Sequence, residues 1–207
     1  MSDAKSKRLP PDVDVNPAVV PLPEHTSPGG TWRIELRNHP IMYRGHAYLA
    51  LVGPDKQIQS ELHGLSRSKN TGKIVSLGFD GAHLVVHDEV KSPDWENKKV
   101  GTVAEGSYAD IVAGRWARGK KAAADINEAA FDYKADDLFF EAGGGGGQIQ
   151  NSNAVADTLG RAMGLDLDKP LRDAGSLRVF PGWGRNLLDA GYDRYVAPTE
   201  FPVKDAP

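Results

Sequence analysis

The chain has no cysteine among its 207 residues. That excludes a disulfide framework, a thiolate metal site and a cysteine nucleophile. Long apolar runs are missing too, since nothing approaches the roughly 20 residues that a membrane-spanning helix requires. Charge of one sign is not in excess: the net charge of −3 supplies no general attraction to nucleic acid or to acidic membranes. The opening stretch MSDAKSKRLPPDVDV lacks the apolar centre of a signal peptide. The expectation is a cytoplasmic protein, or one exported without a cleaved signal, with no nucleic-acid partner and no integral membrane segment. No Gly-Lys-Ser/Thr follows the glycine run, so it is not a P-loop. A Gly-x-Ser-x-Gly elbow is also lacking, which argues against an α/β-hydrolase.

Glycine, by contrast, is plentiful, with 23 residues, five of them consecutive at 143–147. Such a backbone reaches almost any φ/ψ, and it predicts a mobile or tightly curved loop that could gate a site. Asn151-Ser152-Asn153 then offers helix-capping side chains. Val155, Leu159 and Met163 fall at i, i+4 and i+8 with Ala156 and Ala162 beside them, one apolar stripe of an amphipathic helix. Gly164 suits its C-terminal cap. A small hydroxyl residue is thus delivered to a helix N-terminus, where unsatisfied N–H groups favour an anion or a developing oxyanion. The same residues also fit a plain, well-capped core helix, with Ser152 as its cap.

Taken in order, residues 1–28 carry Pro10, Pro11, Pro17, Pro21, Pro23 and Pro28 and read as a flexible proline-rich arm. Residues 29–197 read as a single α+β domain, and 198–207 as a tail. Alternation or apolar runs predict strands at 32–37, 45–52, 57–62, 74–77 and 82–87, an antiparallel meander. A turn falls at Gly53-Pro54-Asp55-Lys56 and another at Asn70-Thr71-Gly72, with loop over 64–72. Residues 93–106 read as irregular. Tyr108, Val112, Trp116, Gly119, Ala123, Ile126 and Ala130 recur at helical spacing, predicting a long helix kinked at Gly119. Its basic knot, Arg115, Arg118, Lys120 and Lys121, fits either a phosphate contact or a solvated face. Beyond Leu165 the chain reads as turn-rich, with a short helix at 185–190.

His46 lies inside an otherwise apolar strand, where burying an imidazole costs free energy unless it has a partner. His63 lies at the end of the following strand, and Glu61 shares its face because side chains alternate. A strand base, a second polar group on the neighbouring strand and a hydroxyl at a helix N-terminus are the parts of a nucleophile–base–orienter set. A strand histidine that is simply a satisfied core residue remains the plainer alternative. His83 and His87, near Asp80 and Asp88, could suggest a metal, but no third ligand has an obvious spacing. No metal and no cofactor is expected.

His46 in a strand, His63 near the end of the next, and Asn151-Ser152-Asn153 opening a later helix resemble the permuted papain-like hydrolases. That superfamily includes the lecithin retinol acyltransferase-like and permuted NlpC-type proteins. A long helix ahead of the motif, here 108–130, and an Asn-Ser-Asn form of it are similar to bacterial members, some linked to polymorphic toxins. The resemblance spans residues 32–188. It implies an α+β fold, an antiparallel sheet with packed helices in a permuted papain-like arrangement. It further implies Ser152 as nucleophile, His46 as general base and His63 as the group orienting it. Gln150, Asn151, Asn153 and Glu61 would then serve the oxyanion or the substrate. The departure is the nucleophile itself, which in the family is normally cysteine.

The expected function is a hydrolase or acyltransferase acting on an amide, thioester or ester through Ser152 and His46. Its substrate would be a small-molecule, peptide or lipid acyl compound. The alternative is a catalytically inactive papain-like domain that binds a peptide, lipid or protein partner, as a bacterial effector or toxin module would. A third possibility is an interaction module working through the proline arm and the basic helix.

Overall fold

The computed structural model describes residues 30–41, 44–75, 82–88, 98–134, 149–174, 180 and 182–189. The proline-rich arm, the glycine run 143–147, Asp80 and the tail 198–207 lie outside these residues. Six strands form one antiparallel sheet: β1 Trp32–Ile41, β2 Arg44–Val52, β3 Ile58–Ser68, β4 Ile74–Val75, β5 Ala82–Asp88 and β6 Lys98–Gly106. Their order is β4-β3-β2-β1-β6, with β5 also paired to β3. Helices α1 Ala113–Ala129, α2 Ser152–Met163 and α3 Asp168–Asp173 follow. The expected α+β class, an antiparallel sheet with helices packed on it, is what the chain adopts.

Period-two alternation decides what each sheet face does. One face carries Ile34, Leu36, Ala47, Leu49, Leu51, Leu62, Leu84 and Val86, all buried in the main core with Trp116 and Ile126 of α1 and Val155, Leu159 and Met163 of α2. Each large apolar side chain hidden there contributes about 1.5–3 kcal/mol relative to exposure. The other face is polar as well as apolar. There Tyr48, Ala50 and Val52 form a small second cluster. Beside them Glu35 bonds Arg37 at 2.8 Å and Lys99 at 2.9 Å. Burial pushes the Glu35 carboxyl up, but the two cations outweigh it and hold its pKa below the ordinary value.

Several elements differ from the sequence expectations, each for a physical reason. Residues 64–68, expected as loop, continue β3, because the segment pairs along its whole length with β5. Residues 98–106, expected as irregular, form β6; their polar side chains suit an outer strand that pairs β1 alone, through two register shifts. The predicted helix starts as a π-helical turn, Tyr108–Val112, and runs on through Gly119 as α1. Gly119 serves close approach rather than a kink, since a Cβ there would lie 1.8 Å from Met163 Cε of α2. The short α3 has no counterpart in the expectation, and 185–188 of the expected short helix are irregular chain and turn.

Helix α2 is the centre of the molecule: of its residues only Arg161 is not buried. Its C-terminus ends at Gly164, in the left-handed region at φ 68, with the Leu165 N–H reaching back to Gly160 O at 2.9 Å. The remaining carbonyls are met from α1. Arg115 donates to Met163 O and Gly164 O at 3.0 and 2.7 Å, and Arg118 to Ala162 O and Met163 O at 3.2 and 3.1 Å. Two cations at the negative end of the helix dipole are well placed. The basic knot is thereby absorbed, as Lys120 pairs with Asp88 and Lys121 with Asp125. Replacing Arg118 by Met keeps the stem and removes the donors. Urea unfolding should show a loss of about 1–3 kcal/mol, whereas Lys169→Met, breaking an exposed pair with Asp173, should stay within about 0.5 kcal/mol. Equal effects would deny Arg118 its role as a cap.

Candidate active site

The site forms where the sheet is interrupted. Along one edge of β3, β5 pairs continuously from Leu62 to Ser68. Along the other edge, β2 is the partner up to Leu62, opposite Leu49, and β4 takes over only at Ser66. The first turn of α2 fills the interval. The backbone N–H of Ala47, which a continuing ladder would have used, donates instead to Asn153 Oδ1 at 2.8 Å in a buried bond. On the opposite side of the interval, a Cβ on Gly64 would lie 2.8 Å from Ser152 Cα and from Val155 Cβ. Only glycine lets helix and strand approach so closely. Ser152 is therefore fixed between the chain neighbours of His46 and His63.

His46, Tyr48, Glu61 and His63 occupy the sheet face opposite the main core. His46 is 5% exposed, His63 0% and Glu61 1%. His63 Nε2 lies 3.1 Å from Glu61 Oε2, and His63 Nδ1 lies 3.3 Å from His46 Nε2. Tyr48 stacks on the His63 ring at a centroid distance of 4.1 Å and fixes its plane. The proton positions follow from the chemistry of the end group. With Glu61 ionised, its carboxylate only accepts, and His63 Nε2 then carries the hydrogen. Neutral His63 then offers Nδ1 as an acceptor, and His46 Nε2 must be the donor to it. That leaves the lone pair of neutral His46 on Nδ1, which makes Nδ1 the basic nitrogen. The relay has a direction, set by Glu61.

Asn151, not Ser152, caps α2: at φ −138 its side chain accepts from the N–H groups of Asn153 and Ala154 at 2.9 and 3.1 Å. Ser152 is the first helical residue, so the reading of it as a mere cap is replaced. The cap uses the N–H groups of Asn153 and Ala154 and leaves that of Ser152 out of its bonds. The Ser152 hydroxyl is hydrogen-bonded to Tyr133, whose phenol burial pushes up to about 12. Gln150 is buried and joins Lys134 through two backbone bonds, at 2.8 and 3.2 Å.

The structure thus brings the expected residues into two groups, joined by the bond from the Ala47 N–H to Asn153 Oδ1, and gives several of them other tasks. His46, His63 and Glu61 form one hydrogen-bonded line, with Glu61 beneath His63. Asn151 and Asn153 build and anchor the helix start, and Gln150 ties it to the neighbouring segment. Tyr133 was not singled out by the sequence, although Phe131-Asp132-Tyr133-Lys134 alternates as a short strand does. His87 bonds Arg67 at 3.1 Å, and His83 lies on the same strand beside Asp132. Among the described residues no group of three or more His, Cys, Asp or Glu side chains could hold a metal ion. No described helix is long and apolar enough to cross a membrane. Compared with known proteins, the chain matches no family model, no curated protein and no solved structure.

Two measurements check this geometry. Long-range 1H–15N correlation spectra of the neutral rings should show Nδ1 as the unprotonated nitrogen in both His46 and His63. A hydrogen on Nδ1 of either neutral ring would break the relay as drawn. Asn153→Ala should cost about 1–3 kcal/mol by leaving the buried Ala47 N–H without its acceptor, and Asn153→Asp, which keeps an acceptor oxygen, should lose less. Identical urea midpoints for the two variants would remove the bond from the account.

Proposed function

We propose that the chain is a serine hydrolase or acyltransferase of permuted papain-like type, acting on an amide, thioester or ester. The observation that carries this reading is the hydrogen-bonded line Glu61–His63–His46, whose last member lies on a strand that bonds, through the Ala47 N–H, to Asn153, the residue after Ser152 at the start of α2. In the reaction, the Ser152 hydroxyl turns to His46 Nδ1, which takes its proton as Oγ attacks the acyl carbon. The backbone N–H of Ser152, backed by the positive end of the α2 dipole, donates to the oxyanion that forms. Collapse of that intermediate expels the leaving group, which takes the proton from His46 and leaves an acyl ester on Ser152. Water or an acceptor hydroxyl or amine then releases the acyl group by the same steps. His63 and Glu61 keep His46 in the orientation and tautomer that this requires.

One observation favours a second reading. Ser152 is only 5% exposed, with its hydroxyl engaged by Tyr133. A papain-like domain without turnover, holding a peptide, lipid or protein partner as an effector module would, is compatible with that. An alkyl fluorophosphonate separates the two, because it reacts with an activated hydroxyl. Intact-mass and peptide analysis should find the adduct on Ser152, and none in Ser152→Ala. His46→Gln should slow the reaction by about 10²–10⁴-fold, the range of general-base contributions. A wild-type protein that stays unmodified would favour the binding domain.

A further inference from the structure

Tyr133 is held more firmly than a loop residue needs to be. Its segment bonds β5 on one side, Leu84 N–H to Phe131 O at 2.7 Å and Tyr133 N–H to Ala82 O at 2.8 Å. On the other side, Lys134 and Gln150 exchange backbone bonds at 2.8 and 3.2 Å, two residues before Ser152. The bridge His83 to Asp132 and the bridge Lys134 to Gln150 make residues 132–134 a short extra strand between β5 and the start of α2. The ring packs against the main core, and the hydroxyl meets Ser152. Backbone pairing on both sides, ring packing and a hydroxyl bond together place one phenol at the nucleophile.

We propose that Tyr133 is a further catalytic residue of this acyl transfer, its hydroxyl donating a hydrogen bond to the oxyanion formed when Ser152 attacks. The inference rests on Ser152 being the nucleophile. Before reaction the phenol oxygen accepts the Ser152 hydrogen bond. When that hydrogen goes to His46 Nδ1, the bond to Tyr133 is lost and a new C–O bond forms at Oγ. The carbonyl π pair moves onto the carbonyl oxygen, which is attached to the carbon now bonded to Oγ. A donor within hydrogen-bond reach of Oγ needs only a small rotation to reach that oxygen. The phenol remains protonated throughout, transferring no proton and only donating. Burial supports this role, because a phenol raised to about 12 stays a donor at every pH where the imidazole works. The two donors, the Ser152 N–H and the Tyr133 O–H, then form the oxyanion hole, geometry in which each donor is worth orders of magnitude in rate.

The test uses the rate of fluorophosphonate modification, since the phosphoryl oxygen of the adduct-forming transition state takes the oxyanion position. Tyr133→Phe keeps the ring, and its modification rate at Ser152 should fall by about 10²–10³-fold, the cost of losing one oxyanion donor, with a melting temperature close to that of wild type. Replacing Tyr133 by 3,5-difluorotyrosine should bring the alkaline limb of the pH–rate profile to lower pH, which a purely structural ring would not do. If wild type reacts at Ser152 while the Phe variant reacts as fast and the fluorinated variant keeps the original profile, the Tyr133 proposal fails and the nucleophile stands. If the adduct forms equally in Ser152→Ala, or wild type does not react, the nucleophile reading fails and takes this one with it.

Discussion

The hydrogen bond from the Ala47 N–H to Asn153 Oδ1 is the joint on which the rest depends. A sheet normally satisfies its own backbone, and an N–H left buried without a partner is costly. Here the β2–β3 ladder stops, and a helical side chain supplies what the missing strand would have supplied. The consequence is positional. The residue beside Ala47 is His46, and the residue beside Asn153 is Ser152, so a single backbone-to-side-chain bond ties the strand of His46 to the helix of Ser152. Gly64 sets the other limit, since any Cβ would push the α2 backbone away from β3. The two constraints act from opposite sides of the interval and leave the start of α2 little freedom.

Clamping one end of a helix is effective only if its other end is also held. The Gly164 turn and the two arginines of α1 do this. Both guanidiniums lie at the same carbonyl cluster, and burial together with Arg115 lowers the pKa of Arg118. That unfavourable proximity is tolerated because each cation meets carbonyl oxygens that have no intrahelical donor. Of the basic residues that read in the sequence as either a phosphate contact or a solvated face, Arg115 and Arg118 are therefore part of the structure that keeps Ser152 in place.

The fold and the candidate site were legible to different depths. The α2 helix could be read because its stripe, its Asn-rich start and its glycine end all point the same way. That Glu61 and His63 share a face could be read from alternation, but that His46 meets His63 depends on the β2–β3 register, which the sequence left open. The continuation of β3 through Gly64 could not, because glycine followed by polar residues signals a loop unless a neighbouring strand is known to pair with it. β6 was hidden for a related reason: a strand at the side of a sheet, with polar residues facing water, has no apolar period to show. Gly119 was misread since a helix glycine permits either a bend or a close neighbour, and only the position of Met163 decides. Tyr133 was missed because its place depends on two backbone bridges, to β5 and to Gln150, that no local pattern encodes.

For the reaction proposed, a serine nucleophile where papain-like enzymes use cysteine changes what the neighbouring groups must do. A thiol reacts as a thiolate that can exist before the substrate arrives, so its base needs only to hold a proton. A hydroxyl keeps its proton until the new bond forms, and the base must become an imidazolium in the transition state. Such a cation is stabilised when a carboxylate stands behind it, which is the function of the acid in serine triads. In this chain the carboxylate is not in direct contact with His46, the base we propose, but one imidazole away, through His63, in a buried line. In the proposed reaction, as His46 gains its proton, the Nε2 hydrogen that it shares with His63 would become more strongly donated, and His63 would in turn lean on Glu61. Low local polarity strengthens each of these bonds. A relay ending in a buried carboxylate is thus better suited to a hydroxyl nucleophile than an imidazole pair alone would be, and it gives Ser152 a physical rationale as the residue at this helix start.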